Sequence, residues 1–233
     1  MGRCVLLAGN FIEQDIRNSM YKLVIGNKNY SSWSLRPWLL MKYQDIPFEE
    51  IKVPLYAETS KSLLLQYSPA GKVPVLQTEE HSIWDSLAIC ETIAEQHPDK
   101  HCWPQELSKR VMARSVTSEM HSSFMALRNT LPMNCRKKTV FTRISAELQN
   151  DVNRICTIWR ECLAKHDGPF LFGDFCIADA FYAPVVLRFT SYGINVGDIE
   201  LKYMQKIQEL DALKAWISEG IAESETIPEA AFE

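Results

Sequence analysis

The sequence lacks long hydrophobic runs and any excess of positive charge. No apolar stretch among its 233 residues approaches the roughly 18–20 residues that a membrane-spanning helix needs, so we expect no membrane segment. Its 25 Lys and Arg residues are outnumbered by 29 Asp and Glu, which gives a net charge of -4. Without a basic excess to neutralise phosphates, nucleic acid or an anionic membrane surface is not expected as its main partner. The short basic run 136–138 is predicted to be a solvated loop.

The sequence also lacks paired cysteines and clustered metal ligands. Its seven cysteines are an odd number, and they show neither Cys-x-x-Cys pairing nor metal-ligand spacing. This usage is typical of a reduced intracellular protein and not of a disulfide framework. We therefore predict a cytoplasmic protein that holds no metal.

Hydrophobic periodicity divides the chain into two parts. Over residues 20–97, strand and helix patterns alternate in the order β-α-β-α-β-β-α, which predicts a small mixed sheet covered by helices. Two prolines within 98–105 interrupt helix formation, and we interpret this stretch as a linker. Residues 106–233 predict an all-helical domain, whereas residues 1–19 are predicted to be an N-terminal extension that adds little to the fold. The helices of the second domain are predicted at 106–131, 145–166, 177–192 and 204–222.

The stretch 68–76, Ser-Pro-Ala-Gly-Lys-Val-Pro-Val-Leu, is the most informative part of the sequence. Pro74 stands where a strand should begin, although proline has no amide to donate to a sheet. A cis bond between Val73 and Pro74, a geometry found almost only before proline, would turn the amide and carbonyl of Val73 outward. Two free backbone groups in a cleft can pair with a peptide-like ligand.

Asp85 and Ser86 stand at the start of the apolar-periodic helix that follows. The Asp85 carboxylate offers a counter-charge for an ammonium group, and donors at a helix N-terminus suit a carboxylate. Together with the turn at Val73, this pair predicts a small zwitterionic peptide as the ligand.

Ser31 and Ser32 lie where the first strand passes into the first helix, and one of them is expected to be the helix N-cap. A thiol with an ordinary pKa near 8.5 is only a few per cent ionised at pH 7. Lowering that pKa by about two units requires roughly 2.7 kcal/mol. One hydroxyl bond to the ionised sulfur, at roughly 1.5–3 kcal/mol, plus a helix N-terminus, at roughly 0.3–1 kcal/mol, supplies it. A serine here therefore predicts a donor to the thiolate of a ligand.

These features together resemble the cytosolic glutathione transferases, and the likeness covers roughly residues 21–222. The resemblance implies a thioredoxin-like N-terminal domain of α/β class, an all-α C-terminal domain and a homodimer. It also implies glutathione as the co-substrate, activated at its sulfur. The motifs that carry it are the stretch 68–76, the pair Asp85 and Ser86, Ser-Ser-x-Ser-x-Arg at 31–36, and Gly-Asp-Phe-Cys-Ile-Ala-Asp at 173–179.

The resemblance also implies how glutathione is held. It places the cis-proline at Pro74 and the main-chain clamp on the cysteinyl part of glutathione at Val73, next to Lys72 in the same motif. Recognition of the γ-glutamyl group falls at Asp85 and Ser86.

Three hydroxyl groups are candidates for the thiolate donor. The zeta and tau classes use a serine five residues before the arginine of helix 1, which here makes Ser31 the counterpart, with Arg36 as the arginine. The theta class uses the serine four residues before it, which here is Ser32. We favour Ser31, keep Ser32, and add Tyr30 because other classes use a tyrosine in this region. Arg36 itself is expected to anchor the domain interface.

Three departures from the family pattern bear on the reaction and on stability. Zeta-class members, which include maleylacetoacetate isomerases, carry Ser-Ser-Cys where this chain has Ser31-Ser32-Trp33. The absence of that cysteine weakens the isomerase assignment. No cysteine lies between Cys4 and Cys90, so the thiol–disulfide chemistry of the beta and omega classes is not expected. Cys176 replaces the Ser or Thr that begins the capping box of the helical domain; we expect Asp179 still to accept from the amide of residue 176 and the reciprocal hydroxyl bond to be lost, at a cost of about 1 kcal/mol.

The pocket for a second substrate is predicted along the first long helix of the C-terminal domain, with Met120 and Phe124 as candidate lining residues. The predicted function is a glutathione transferase that directs the thiolate at apolar electrophiles, as in detoxification. The alternatives are a glutathione-dependent isomerase of the maleylacetoacetate type and a non-catalytic module that binds glutathione or a partner.

Overall fold

The N-terminal half forms a sheet covered by helices, in the order that the sequence predicts. A computed structural model describes residues 21–227, and the predicted extension 1–19 lies outside the described residues. The thioredoxin-like class is confirmed. The elements of this half are β1 (Tyr21–Ile25), α1 (Ser32–Tyr43), β2 (Phe48–Lys52), α2 (Ser60–Leu64), β3 (Val75–Gln77), β4 (Ser82–Trp84) and α3 (Ser86–Gln96).

The four strands are arranged in the order β2-β1-β3-β4. β1 pairs with β2 in parallel and with β3 in antiparallel orientation, and β3 pairs antiparallel with β4. Because successive side chains of a strand point to opposite faces, Leu23 and Ile25 enter the main core, and Val24 enters a smaller cluster on the other face. That cluster consists of Val24, Val53, Leu64 and Val75.

The C-terminal half is helical in the described residues and is organised around one buried helix. Fifteen of the sixteen residues of α7 are buried, so this helix is enclosed on every side and forms the centre of the half. It packs against α1 of the first half and against α4. The elements are a 3₁₀ turn (Pro98–Lys100), α4 (Leu107–Ser122), α5 (Met125–Thr130), α6 (Ala146–Lys165), α7 (Ile177–Tyr192), α8 (Asp198–Gln208) and α9 (Asp211–Ala222).

Two of the predicted helices are each divided in the structure. The prediction of one helix over 106–131 is wrong, because Phe124 adopts a left-handed conformation with φ 65° between α4 and α5. Carbonyls left free at the end of α4 accept from the guanidinium of Arg128, which donates to Met120 and Ser123. The stretch 204–222 also contains a break, with Leu210 extended before α9. The boundaries of the predicted linker at 98–105 remain a prediction.

The capping box at the start of α7 keeps both of its bonds, with the sulfur of Cys176 taking the place of the hydroxyl that the sequence lacks. The sulfur of Cys176 accepts from the backbone amide of Asp179, and the Asp179 carboxylate accepts from the amide of Cys176 at 3.0 Å. The same carboxylate accepts from the amide of Leu171 and from the hydroxyl of Tyr203, both at 3.1 Å. Asp179 therefore joins the loop before α7 to α8.

No helix within residues 21–227 combines the length and the apolar character required to cross a membrane.

Gly220, in α9, touches the loop between β1 and α1. A Cβ atom at this position would lie 3.0 Å from the amide nitrogen of Asn29 and 3.1 Å from the carbonyl carbon of Lys28. Alanine normally stabilises a helix interior by about 0.5–1 kcal/mol relative to glycine, whereas overpacking costs about 1–3 kcal/mol. We expect Gly220→Ala to lower the free energy of unfolding in denaturant by about 1 kcal/mol. Ser218→Ala, at an exposed position of the same helix, is the control and should be neutral or slightly stabilising; a more stable G220A variant would contradict this expectation.

Candidate active site

A cavity of about 920 Å³ lies between the two halves of the chain. Its volume is within the usual range for small-molecule sites. Four of the predicted site residues line it, namely Ser31, Ser32, Lys72 and Val73, and so does the third hydroxyl candidate, Tyr30. Arg128 lines it as well, and so do residues that the sequence interpretation did not include, among them Leu55, Tyr56, Met133, Arg188 and Ile227.

The turn before β3 has the predicted geometry. The Val73-Pro74 peptide bond is cis, and Pro74 is buried directly before the strand. Among the turn and loop bonds of residues 21–227, none involves the amide or carbonyl of Val73. Both backbone groups of this cavity residue are therefore available to a ligand.

Ser31 is the N-cap of α1, and its hydroxyl belongs to a short chain of hydrogen bonds. Its Oγ accepts from the amide of Ser34 at 3.3 Å and donates to the Ser34 Oγ at 2.7 Å. The Ser34 Oγ also accepts from the amide of Gly26 at 3.2 Å. Ser31 is only 5% exposed, so its hydroxyl is held in place at the edge of the cavity and at the positive end of the helix.

Ser32 has a different partner, which comes from the helical half. Its Oγ accepts from Nη2 of Arg188, in α7, at 3.1 Å. Arg188 also donates to the carbonyl of Leu131. The N-terminus of α1 is thereby tied to α7 next to the cavity.

The hydroxyl of Tyr30 accepts two hydrogen bonds, from Nη2 of Arg136 at 3.1 Å and from the amide of Ile227 at 3.3 Å. The prediction of a solvated loop at 136–138 is therefore wrong for its first residue. Arg136 is half-buried and also donates to the carbonyl of Glu225 at 2.7 Å. The Tyr30 hydroxyl is therefore bonded to Arg136 and to the C-terminal segment of the chain.

Positive charge is concentrated beside the serines. Burial, followed by repulsion from Arg128, lowers the pKa of Arg188 to about 9, so it is still charged at neutral pH. Burial also lowers the pKa of Arg36, which is only 1% exposed at the domain interface. Trp33 lies between two of these groups, with its ring 4.2 Å from the guanidinium carbon of Arg36 and 4.8 Å from that of Arg128. Such a cluster stabilises an anion in the cavity.

Asp85 and Ser86 are not among the residues that line the cavity. Asp85 caps α3 through its Oδ1, which accepts from the amide of Leu87 at 2.8 Å, and its Oδ2 lies 3.1 Å from Nε2 of His121. Ser86 is buried and accepts from Nη1 of Arg36 at 3.4 Å. Their role in holding the γ-glutamyl group remains a prediction.

Met120 and Phe124 do not line this cavity. They are 2% and 5% exposed and belong to the hydrophobic core. On that side the cavity wall is formed by residues further along the chain, including Arg128 and Met133. The physical reason is the break at Phe124, which ends α4 and turns the chain into α5.

Arg188 is the residue that sequence reasoning most clearly missed. It stands in the strongly apolar stretch 177–192, where a charged side chain is costly to bury unless it has partners. That conflict between charge and surroundings was a usable signal. Ile227 and Leu55 carry no comparable signal in the sequence, because their approach to the cavity depends on tertiary contacts.

Within residues 21–227, no group of three or more His, Cys, Asp or Glu side chains could hold a metal ion. The six cysteines of this part of the chain are buried and free. Their burial raises the thiol pKa, to about 12 for Cys135, so these groups do not supply a reactive thiolate.

The chain is similar to known proteins in sequence and in fold. Residues 30–96 match the family model described as the glutathione S-transferase N-terminal domain. The chain is 28% identical over 167 residues to a probable maleylacetoacetate isomerase of Caenorhabditis elegans, which covers 71% of this chain and 77% of that protein. It is 26% identical over 184 residues to glutathione S-transferase 1 of Dianthus caryophyllus, with coverage of 77% and 83%. The crystal structure of a Burkholderia glutathione transferase homologue with bound glutathione has the same fold, with a TM-score of 0.68 at 21% identity over 88% of this chain and 100% of that one.

Proposed function

We propose that this chain is a cytosolic glutathione S-transferase, which the family-model match over residues 30–96 and the similar relatives support, and that it ionises the thiol of bound glutathione and directs the thiolate at an apolar electrophile. The observation that carries this proposal is the Ser31 hydroxyl, which lies in the cavity at the N-terminus of α1 and is bonded to Ser34. Glutathione would lie along Val73, whose free amide and carbonyl pair with the cysteinyl main chain. Asp85 and Ser86 would receive the γ-glutamyl group.

Ser31 is our choice for the thiolate donor because Ser34 can support it. The Ser34 Oγ already accepts from the amide of Gly26, so its own proton is available. When a thiolate occupies the cavity, rotation of two hydroxyl groups that are 2.7 Å apart lets Ser34 donate to Ser31 and Ser31 donate to the sulfur. Bonds in such a chain strengthen one another.

The charges around the cavity act in the same direction. The helix N-terminus at Ser31 and the guanidinium groups of Arg128 and Arg188 favour the thiolate over the neutral thiol. The thiol proton passes to solvent. With an aryl halide as the second substrate, the thiolate forms a sulfur–carbon bond at the carbon that bears the halogen, and the halide leaves with the bonding electron pair. Leu55, Met133 and Ile227 offer apolar surface for the ring.

Turnover and thiol ionisation together test this proposal. We expect the complex with saturating glutathione to show a thiol pKa at least about one unit below the ordinary value, measured from thiolate absorbance, and to convert a halonitrobenzene at steady state. The panel should also include a hydroperoxide and an isomerisable maleyl substrate. Tight glutathione binding without turnover on any of the three would favour the non-catalytic module.

The glutathione-dependent isomerase is the second candidate, and one observation favours it. Arg128 and Arg188 both line the cavity, and paired guanidinium groups suit a substrate that carries carboxylates. Trp33 argues against this candidate, because zeta-class proteins carry a cysteine at the position that Trp33 occupies in this chain. Faster turnover of the maleyl substrate than of the aryl halide would establish this candidate over the transferase.

A homodimer and a cytoplasmic location are proposed on the basis of family membership. Leu107 and Val111, one turn apart on α4, are 66% and 59% exposed, which supports an apolar contact with another chain. Sedimentation equilibrium would give the mass of two chains if the dimer forms.

A further inference from the structure

The segment 223–227, which follows α9, lies against the loop 26–31 that carries the candidate hydroxyl groups. The two parts of the chain are almost 200 residues apart in sequence, yet they share hydrogen bonds at each end of the loop. Apart from the apolar surface that Ile227 offers to the ring, the proposed function assigns no role to this segment.

Glu223 provides the main contact. Its Oε1 accepts from the amide of Lys28 at 2.8 Å, and its Oε2 accepts from the amide of Asn29 at 3.1 Å. One carboxylate therefore binds two consecutive backbone amides, an arrangement in which charge strengthens each bond. The side chain of Glu223 is only 5% exposed, so water competes weakly for these bonds.

Other bonds also hold this loop, because the amide of Cys135 donates to the carbonyl of Asn29 at 3.2 Å and Nζ of Lys28 lies 2.8 Å from Oε2 of Glu50, but these bonds do not involve the two amides that Glu223 binds. The carbonyl of Asn27 accepts from the amides of Tyr30 at 3.1 Å and Ser31 at 2.8 Å, which leaves the amides of Lys28 and Asn29 to Glu223. The direction in which Ser31 leaves the loop consequently depends on how residues 28 and 29 are held.

Arg136 links the same segment to the loop a second time. It donates to the carbonyls of Glu223 at 3.0 Å and Glu225 at 2.7 Å, and to the hydroxyl of Tyr30. Its backbone amide also donates to Oδ1 of Asn29 at 3.1 Å. The loop, the segment and Arg136 thus form one bonded unit beside the cavity.

We propose that Glu223 is a positioning residue for thiol activation, which acts by fixing the amides of Lys28 and Asn29 so that the Ser31 hydroxyl stays aimed at the bound sulfur. This inference rests on the proposed function. Glu223 touches neither substrate in this scheme. Its effect belongs to the ionisation step, so glutathione affinity should change little.

The test compares Glu223→Ala and Glu223→Gln with Glu225→Gln in the full chain. Glu225 is a matched control, because its carboxylate lies 3.4 Å from Lys52, as that of Glu223 does, but makes no bond to the loop. Glutathione is the probe, with thiol pKa measured from thiolate absorbance and kcat and KM measured with a halonitrobenzene. We expect E223A to raise the thiol pKa by about one unit and to lower kcat about tenfold at pH 6.5. KM for glutathione should stay within about threefold, because the loss concerns only the ionised state.

The glutamine variant keeps one oxygen acceptor and should give an intermediate pKa, whereas E225Q should match wild type. If E223A does not fold, as judged by thermal unfolding, the comparison of E223Q with E225Q decides the question. If the thiol pKa is lowered in wild type and is equally low in the Glu223 variants, the positioning role is overturned and the proposed function stands. An unperturbed thiol pKa in wild type would overturn the proposed function and this inference together.

Discussion

Ser31→Ala is expected to raise the pKa of the thiol of bound glutathione by about 1–2 units, because a hydroxyl bond to an ionised sulfur contributes roughly 1.5–3 kcal/mol. At pH 6.5 this should lower kcat/KM by about 10- to 100-fold. The difference in kcat/KM between S31A and wild type should decrease as the pH approaches the ordinary thiol pKa, since the thiol then ionises without a hydrogen-bond donor. Ultraviolet titration of the complex and a pH profile of kcat/KM measure both effects.

Neighbouring substitutions make this result specific to Ser31. Ser32→Ala, which removes the acceptor of Arg188, should shift the thiol pKa less, and Ser34→Ala, which removes only the supporting hydroxyl, should give an intermediate shift. Ser31→Thr keeps a hydroxyl and should restore most of the activity. Because Ser31 is also the N-cap, S31A should lose about 1 kcal/mol of stability as well. A larger pKa shift in S32A than in S31A would transfer the donor role to Ser32.

Asp179→Ala is expected to cause the largest loss of stability. The substitution leaves the amides of Leu171 and Cys176 and the hydroxyl of Tyr203 without their acceptor in a fully buried site. At roughly 1–3 kcal/mol for each unsatisfied buried group, we expect a loss of at least about 3 kcal/mol. For a chain of this size that corresponds to a fall in Tm of roughly 6–12 °C. Asp174→Ala, at an exposed position of the same loop, should change stability by less than about 0.5 kcal/mol.

The pH dependence of that loss has a definite sign. Burial raises the pKa of Asp179 to about 6, above its value in the unfolded chain, so the folded state binds this proton more tightly. The stabilisation from protonation is therefore complete below the unfolded pKa and is lost as the pH rises through about 6. The difference in unfolding free energy between wild type and D179A should grow by about 1 kcal/mol between pH 7 and pH 5. A difference that shrinks over this range would show that hydrogen bonding to the carboxylate outweighs burial.

Local sequence signals predicted the parts of the fold that depend on neighbouring residues. The alternation of strand and helix in the first half, the cis bond before Pro74 and the span 177–192 of α7 each follow from periodicity, proline chemistry or capping. The division of 106–131 at Phe124 did not follow, because neither proline nor glycine marks it. A left-handed Phe124 is held there by the guanidinium of Arg128 on the neighbouring carbonyls, a contact made only in the folded chain.

The candidate site shows the same limit more strongly. Ser31, Ser32 and Val73 were placed in one cavity from motifs alone, since each motif is a short local arrangement. Arg188 bonds Ser32 and Glu223 bonds Lys28 from 156 and 195 positions away, and no local sequence pattern predicts contacts over such distances. Met120 and Phe124 lie in the hydrophobic core and do not line this cavity, and the sequence does not distinguish the two settings because an apolar helix face packs equally well into a core or around a ligand.

The bond from Arg188 to Ser32 also constrains how this protein could be recombined with its relatives. A hybrid that joined residues 21–97 to the helical half of another member would keep the turn at Val73 and the pair Asp85 and Ser86. It would lose the guanidinium that holds the start of α1 unless the donor protein also supplied an arginine at the position of residue 188. The two halves of a working hybrid would therefore have to come from proteins with matching residues at these positions. Exchanging the helical half to change the electrophile would also alter the reactivity of the glutathione sulfur.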